Sequence, residues 1–183
     1  MKSRSCGNIV FEDGSFHICA TLTSGTIQHL KKDLQVLAIT EPAVIEWRAD
    51  YLKENLTEEN IKAGLKLIRN SYSSTPLIFT LRKESEGGAW SLSEEDFYRL
   101  RLCAAETGLL DLMDIELSSL LTEHEKLFLY ESLIRSMKAS GKLLILSFHD
   151  FTGAPAENTL IGTVLKMMKE GADIEDTVDT IVK

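Results

Sequence analysis

One pattern repeats five times between residues 17 and 169: a short run of β-branched and apolar residues, then a longer segment with apolar residues at helical spacing, about 30 residues per repeat. Buried parallel strands read as continuous apolar runs, whereas each crossover helix shows a single apolar face, so this alternation marks βα units. The expected strands are HICATL (17–22), AVIEWRAD (43–50), PLIFTLR (76–82), LMDIEL (112–117) and KLLILSFH (142–149), with a sixth beginning at Gly171. Helices are expected near 26–38, 57–69, 93–106, 123–138 and 157–169. Thr57 before Glu58 and Glu59, and Ser93 before Glu94 and Glu95, each pair a capping oxygen with negative charge, which suits the unpaired N–H groups of a helix start.

These units predict an α/β fold of TIM-barrel-like (β/α) type, in a single domain over residues 1–183. A complete barrel uses eight units and about 250 residues. An incomplete or rearranged barrel is therefore expected, with five clear βα units and a sixth strand. An open doubly wound sheet would use the same elements, but Thr23-Ser24-Gly25-Thr26 is not the glycine-rich phosphate loop of that class. In residues 1–16 a small hairpin is expected around Glu12-Asp13-Gly14-Ser15, where Asp-Gly signals a turn. At the other end Ile174, Val178, Ile181 and Val182 approximate one helical apolar face that could cover a sheet edge. Parallel edges and apolar surface left uncovered favour association, so a homo-oligomer is expected, with a dimer the simplest form.

Twenty basic against 28 acidic side chains give a net charge of −8, which leaves no basic surface for nucleic acid. No run approaches the roughly 18 apolar residues of a membrane span, and charge interrupts the first 22 residues, so neither a membrane nor export is expected and the expected location is cytoplasmic. Cys6, Cys19 and Cys103 are too few and too far apart for a disulfide scaffold or a compact thiolate metal site.

Polar residues fall late in several strands. Side chains two apart share a face, so Glu46, Arg48 and Asp50 lie together on the second strand, Asp114 and Glu116 on the fourth, and Ser147 and His149 on the fifth, while Arg82 ends the third. Buried charges are costly unless paired or facing a cavity. Sites on β/α barrels form at the carboxyl ends of strands, so the convergence points to a cleft for a small polar ligand. Structural alternatives stay open at this point: Glu46 and Arg48 as an ion pair, Asp114 and Glu116 as rim charges, His149 as a buried hydrogen-bonded histidine. A metal site built from Asp50, Asp114, Glu116 and His149 is geometrically conceivable, but the histidines show no tight metal spacing and no metal is expected. Glu86 precedes Gly87 and Gly88 in a loop that could admit backbone to a ligand or simply turn.

Taken in order, VIEWRAD (44–50), FTLRKESEGG (79–88), MDIEL (113–117) and LSFHDFTGAP (146–155) resemble the type I 3-dehydroquinate dehydratases over roughly residues 17–175. The resemblance implies a lyase of the shikimate route to the aromatic amino acids, converting 3-dehydroquinate to 3-dehydroshikimate with no cofactor. In that family a lysine attacks the C3 ketone to form a Schiff base, and a histidine relays protons. By motif the histidine is His149 and its acidic assistant is Glu86. Glu46 and Arg48 carry over as groups that hold substrate hydroxyls, Arg82 as a further substrate-binding cation, and Thr21 as a residue facing the substrate. Asp50, Asp114, Glu116 and Ser147 carry over as supports of the cavity. The implied partner is a small anionic polyhydroxy keto acid.

The lysine departs from the pattern. The family's sixth strand resembles GADIVKIAVMP, whereas this chain reads GADIEDTVDTIVK and places Asp176 at the lysine position. A carboxylate cannot form a Schiff base. Lys183 follows Ile181 and Val182 as a displaced candidate, seven residues later. The family's later strands, with their substrate-gripping arginine, have no counterpart here. Three functions follow as expectations: a dehydratase-like lyase, a catalytically silent relative acting as a binding or assembly module, and a metal-assisted hydrolase using the carboxylates and His149.

Overall fold

A computed structural model describes residues 3–12, 14–52, 56–121, 124–151, 153 and 155–179. It opens with a two-stranded antiparallel hairpin, β1 (Arg4–Cys6) and β2 (Ile9–Phe11). The hairpin turns at Gly7-Asn8, where Gly7 adopts φ +56°, and not around Glu12–Ser15 as the Asp-Gly signal suggested. The segment after β2 instead closes locally, with the Ser15 hydroxyl donating to the Glu12 carbonyl at 2.8 Å.

The βα rhythm then runs β3 (Cys19–Leu22), α1 (Ile27–Leu37), β4 (Val44–Arg48), α2 (Glu58–Ser71), β5 (Leu77–Thr80), α3 (Glu94–Glu106), β6 (Leu112–Glu116), α4 (Leu117–Leu120), α5 (His124–Ala139), β7 (Leu143–Asp150), α6 (Glu157–Lys169) and β8 (Ile174–Asp179). Six parallel strands, β3 to β8, lie side by side in chain order. Sequential parallel neighbours joined by helices are the connectivity of a β/α barrel wall. Residues 174–179 pair with β7 as a strand, so the helical face suggested for Ile174 and Val178 does not form, and Ile181 and Val182 lie outside the described residues. Threonine or serine caps begin three helices: Thr26 accepts from His29 N at 3.1 Å, Thr57 from Asn60 N at 3.3 Å and Ser93 from Asp96 N at 3.1 Å.

Alternation along the strands divides the core. Trp47, Phe79, Met113, Ile115, Leu144 and Leu146 join buried helix residues such as Leu30, Leu65, Leu100 and Leu133 in one large cluster. The opposite, inner face carries Ile78, Leu112 and Ile145 at its amino end, where Cys6 and Phe11 of the hairpin pack on them. Arg4 fixes the hairpin there by donating to Asp173 at 2.8 Å. Among the described residues no helix is long and apolar enough to cross a membrane.

Candidate active site

Register places polar residues of six strands in neighbouring rows: Thr21 beside Glu46, Arg48 beside Thr80, Thr80 beside Asp114, and Glu116 beside Ser147 on the inner face, with Asp176 in backbone register with Ser147. At the amino side of these rows Glu46 receives two hydroxyls, from Thr21 at 2.9 Å and from Thr80 at 2.7 Å. Below them a cavity of about 330 Å³ is lined by Phe11, Cys19, Thr21, Glu46, Asp114 and Ile145, among others.

Arg48, the last residue of β4, folds back on Asp50. Its Nε and Nη2 each donate to that carboxylate at 2.8 Å, and Nη2 also reaches the Gly87 carbonyl at 3.3 Å. Burial alone would lower the Arg48 pKa, but Asp50 chiefly, with Glu46 beyond it, holds it above the ordinary arginine value. Asp50 is not on the strand, as its alternation with Arg48 had suggested; it lies in a short 3-10 turn over Ala49–Tyr51 and is fully buried. It also accepts the Arg82 and Ala89 amides, at 3.4 and 3.3 Å, and so ties β4 to the glycine loop after β5. That loop needs its glycines: a Cβ on Gly88 would lie 1.9 Å from the Arg82 carbonyl oxygen, and Gly87 adopts φ +82°.

Arg82 is the hub of the site. Its Nη2 donates to Asp114 at 2.9 Å; its Nη1 donates to Ser147 Oγ and lies 3.0 Å from His149 Nδ1. Ser147 in turn donates to the other oxygen of Asp114 at 2.7 Å. Glu86 stands behind His149, with Oε2 accepting the His149 amide at 3.1 Å and lying 3.5 Å from Nδ1, while Ser118 donates to Oε1 at 2.6 Å. The Phe151 ring stacks on the imidazole with centroids 6.4 Å apart.

Two residues that sequence reasoning did not single out complete the network. Arg101, on α3, is fully buried and donates to Glu116, to Tyr130 at 2.8 Å, to Ser119 at 3.2 Å and to the Leu81 carbonyl at 2.9 Å. Lys83 donates its amide to Glu116 at 3.0 Å and its ammonium to Glu94. Spacing could not reveal either one, because Arg101 lies inside an ordinary helical charge pattern and Lys83 in a loop. A cavity of about 580 Å³ lies beside them, lined by Lys83, Trp90, Glu94, Phe97 and Ser118 among others. Buried Cys103 bonds in the helix layer to the Glu58 carbonyl at 3.7 Å, and burial pushes the Cys6 thiol up to about 11, so neither reads as a nucleophile.

Chemically, the site can hold hydroxyls and an anion beside a histidine backed by a carboxylate. Among the described residues no lysine falls within a strand of the large sheet, and no group of three His, Cys, Asp or Glu side chains is arranged to hold a metal ion. Lys183 lies outside the described residues.

The comparisons with known proteins fit this geometry. The sequence profile of the type I 3-dehydroquinases matches residues 18–175. A 3-dehydroquinate dehydratase of Klebsiella pneumoniae is 33% identical over 171 residues, and one of Listeria monocytogenes is 30% identical over 167; each alignment covers 91% of this chain and 64% of the relative. The chain thus spans less than two thirds of the length of these curated relatives. Among solved structures, the 3-dehydroquinate dehydratase of Geobacillus kaustophilus superposes with a TM-score of 0.86 at 26% identity, covering 97% of this chain and 67% of that one. With sheet order and matched span in agreement, the chain belongs to the type I 3-dehydroquinase family.

Proposed function

We propose that this chain binds a small anionic polyhydroxy acid of the 3-dehydroquinate kind at the Arg82–His149 cluster, and that it does so without forming the family's Schiff base. The observation that carries the reading is the register of β8, which sets Asp176 opposite Ser147 in the row of site residues. Schiff-base chemistry needs a neutral amine as nucleophile and a protonated imine as electron sink, and a carboxylate supplies neither.

The remaining parts suit recognition. Arg82 offers N–H donors to an anion, and guanidinium–carboxylate hydrogen bonds are the stronger, charge-assisted kind. Glu46 and Arg48 suit hydroxyl groups, and His149 with Glu86 suits proton transfer. Isothermal titration with shikimate tests this: saturable binding that weakens in Arg82→Met supports it, and the absence of binding by folded protein overturns it.

The second reading is turnover through a displaced amine, for which the family membership argues. Formation of the enone product by purified protein, abolished in His149→Ala, would establish it. The metal-assisted alternative gains no support from the donor arrangement among the described residues.

A further inference from the structure

We infer that Arg82 decides which nitrogen of His149 carries the proton, and that an anionic ligand, by drawing the guanidinium away, turns Nε2 from a donor into a base. The inference rests on the proposal above that an anionic polyhydroxy acid enters this site.

Two of the described neighbours of His149 Nδ1 ask opposite things of it. Arg82 Nη1 lies at 3.0 Å and can only donate; Glu86 Oε2 lies at 3.5 Å and, ionised, can only accept. The shorter contact requires a lone pair on Nδ1. A neutral imidazole has one N–H, so the proton then sits on Nε2, where it can be donated but not received.

Glu86 is held ready for the other state. Its Oε1 takes the Ser118 hydroxyl at 2.6 Å and its Oε2 takes the His149 amide at 3.1 Å, so the carboxylate stays beside the ring whichever form the ring adopts. Arg82 is held differently. Its Nη2 is anchored on Asp114, but its Nη1 is divided between the Ser147 hydroxyl and the imidazole, with Glu116 further off at 3.9 Å. Ser147 and His149 are neutral acceptors there, and a ligand carboxylate competes well against them for the same N–H groups.

Once Nη1 turns to the ligand, Nδ1 takes a proton from solvent and keeps it in a hydrogen bond to Glu86 Oε2, while Nε2 releases its own proton to solvent. Net charge on the ring is unchanged, and Nε2 gains the lone pair that proton abstraction requires. Ligand capture and base activation are thereby the same event.

The test is nitrogen-15 NMR of His149 at mildly alkaline pH, where the spectrum itself separates the two neutral tautomers from each other and from imidazolium. The free protein is expected to show the Nε2–H form, and saturating shikimate to convert it to Nδ1–H. Arg82→Met is expected to show Nδ1–H with no ligand present. Since that variant strips a buried carboxylate of its arginine, Glu86→Leu serves as the second variant: with no acceptor at Nδ1, the ring stays Nε2–H even when calorimetry shows shikimate bound. An Nδ1–H ring in the free protein, an Nε2–H ring in folded Arg82→Met, or bound shikimate with an unchanged ring overturns the inference. Failure of shikimate to bind overturns the ligand half together with the proposed function, while the free and Arg82→Met spectra still decide the tautomer half.

Discussion

Asp114 and Glu116, two residues apart on β6 and both buried, are driven in opposite directions. Burial raises the Asp114 pKa to about 6 from an ordinary 3.8, with Arg82 opposing and Glu116 adding to the rise. Burial pushes Glu116 upward too, but Arg101 first, then Arg82 and the Lys83 amide, bring it below the ordinary glutamate value. The difference is one of partners: Glu116 has an arginine of its own in the helix layer, whereas Asp114 shares Arg82 with Ser147 and His149.

Stability should therefore fall as pH rises through 6. An acid whose folded pKa is raised contributes stability that is complete below its unfolded value and lost as pH passes the folded one. For Asp114 that window runs from 3.8 to about 6, and the shift corresponds to a loss on the order of 3 kcal/mol. Glu116 acts in the opposite sense, but only below its ordinary 4.5. Urea unfolding between pH about 4.5 and 7.5 should show the decline in the native chain and a flatter profile in Asp114→Asn; a native profile that rises through this window would contradict the assignment.

Removing Arg101 should be expensive. Arg101→Met removes the closest ion partner of buried Glu116 and leaves only Arg82 at 3.9 Å, a loss of up to about 3–5 kcal/mol. Arg101→Met/Glu116→Gln should recover much of this loss, because no uncompensated buried carboxylate remains. Chemical denaturation checks both variants, and a single variant within about 1 kcal/mol of native would show that the pair matters little.

A methyl group on α2 should also destabilise. A Cβ at Gly64 would stand 2.2 Å from Trp47 Cη2, in a core where Trp47 is fully buried and packs edge-on against Phe79 at 5.9 Å. Overpacking of this kind costs about 1–3 kcal/mol, against roughly 1 kcal/mol gained in helix propensity. A lower melting temperature for Gly64→Ala is predicted, with relief in Gly64→Ala/Trp47→Phe. An unchanged or higher melting temperature for the single variant would refute the contact.

Much of the fold was legible because buried strands announce themselves. AVIEWRAD and KLLILSFH could be placed by apolar runs alone, and β4 and β7 lie within or nearly within them. The hairpin turn was misplaced because Asp-Gly is a strong local signal, whereas the actual turn at Gly7-Asn8 is fixed by pairing of Cys6 with Ile9. For the site, alternation brought Asp114, Glu116, Ser147 and His149 into view, but not their division among arginines. Nothing local in sequence says that Arg101 crosses from the helix layer to Glu116, or that Asp50 turns off its strand to hold Arg48 and two amides.

Restoring the amine should restore covalent chemistry. Asp176→Lys places a lysine in register with Ser147, and a neighbouring guanidinium lowers an amine's pKa toward the partly neutral state that attack on a ketone requires. Incubation with 3-dehydroquinate and borohydride should then yield a reduced adduct that peptide mapping assigns to position 176. A folded variant that binds shikimate yet forms no adduct would show that register alone does not position the amine.

The central claim, a family site that binds without a Schiff base, is tested most directly by the same trapping experiment on the native chain. Intact-mass analysis after exposure to 3-dehydroquinate and borohydride, with a control lacking substrate, should show unmodified protein from a sample that binds shikimate. A substrate-dependent adduct at Lys183 or any other lysine would contradict the claim and make the chain a Schiff-base enzyme with a relocated nucleophile.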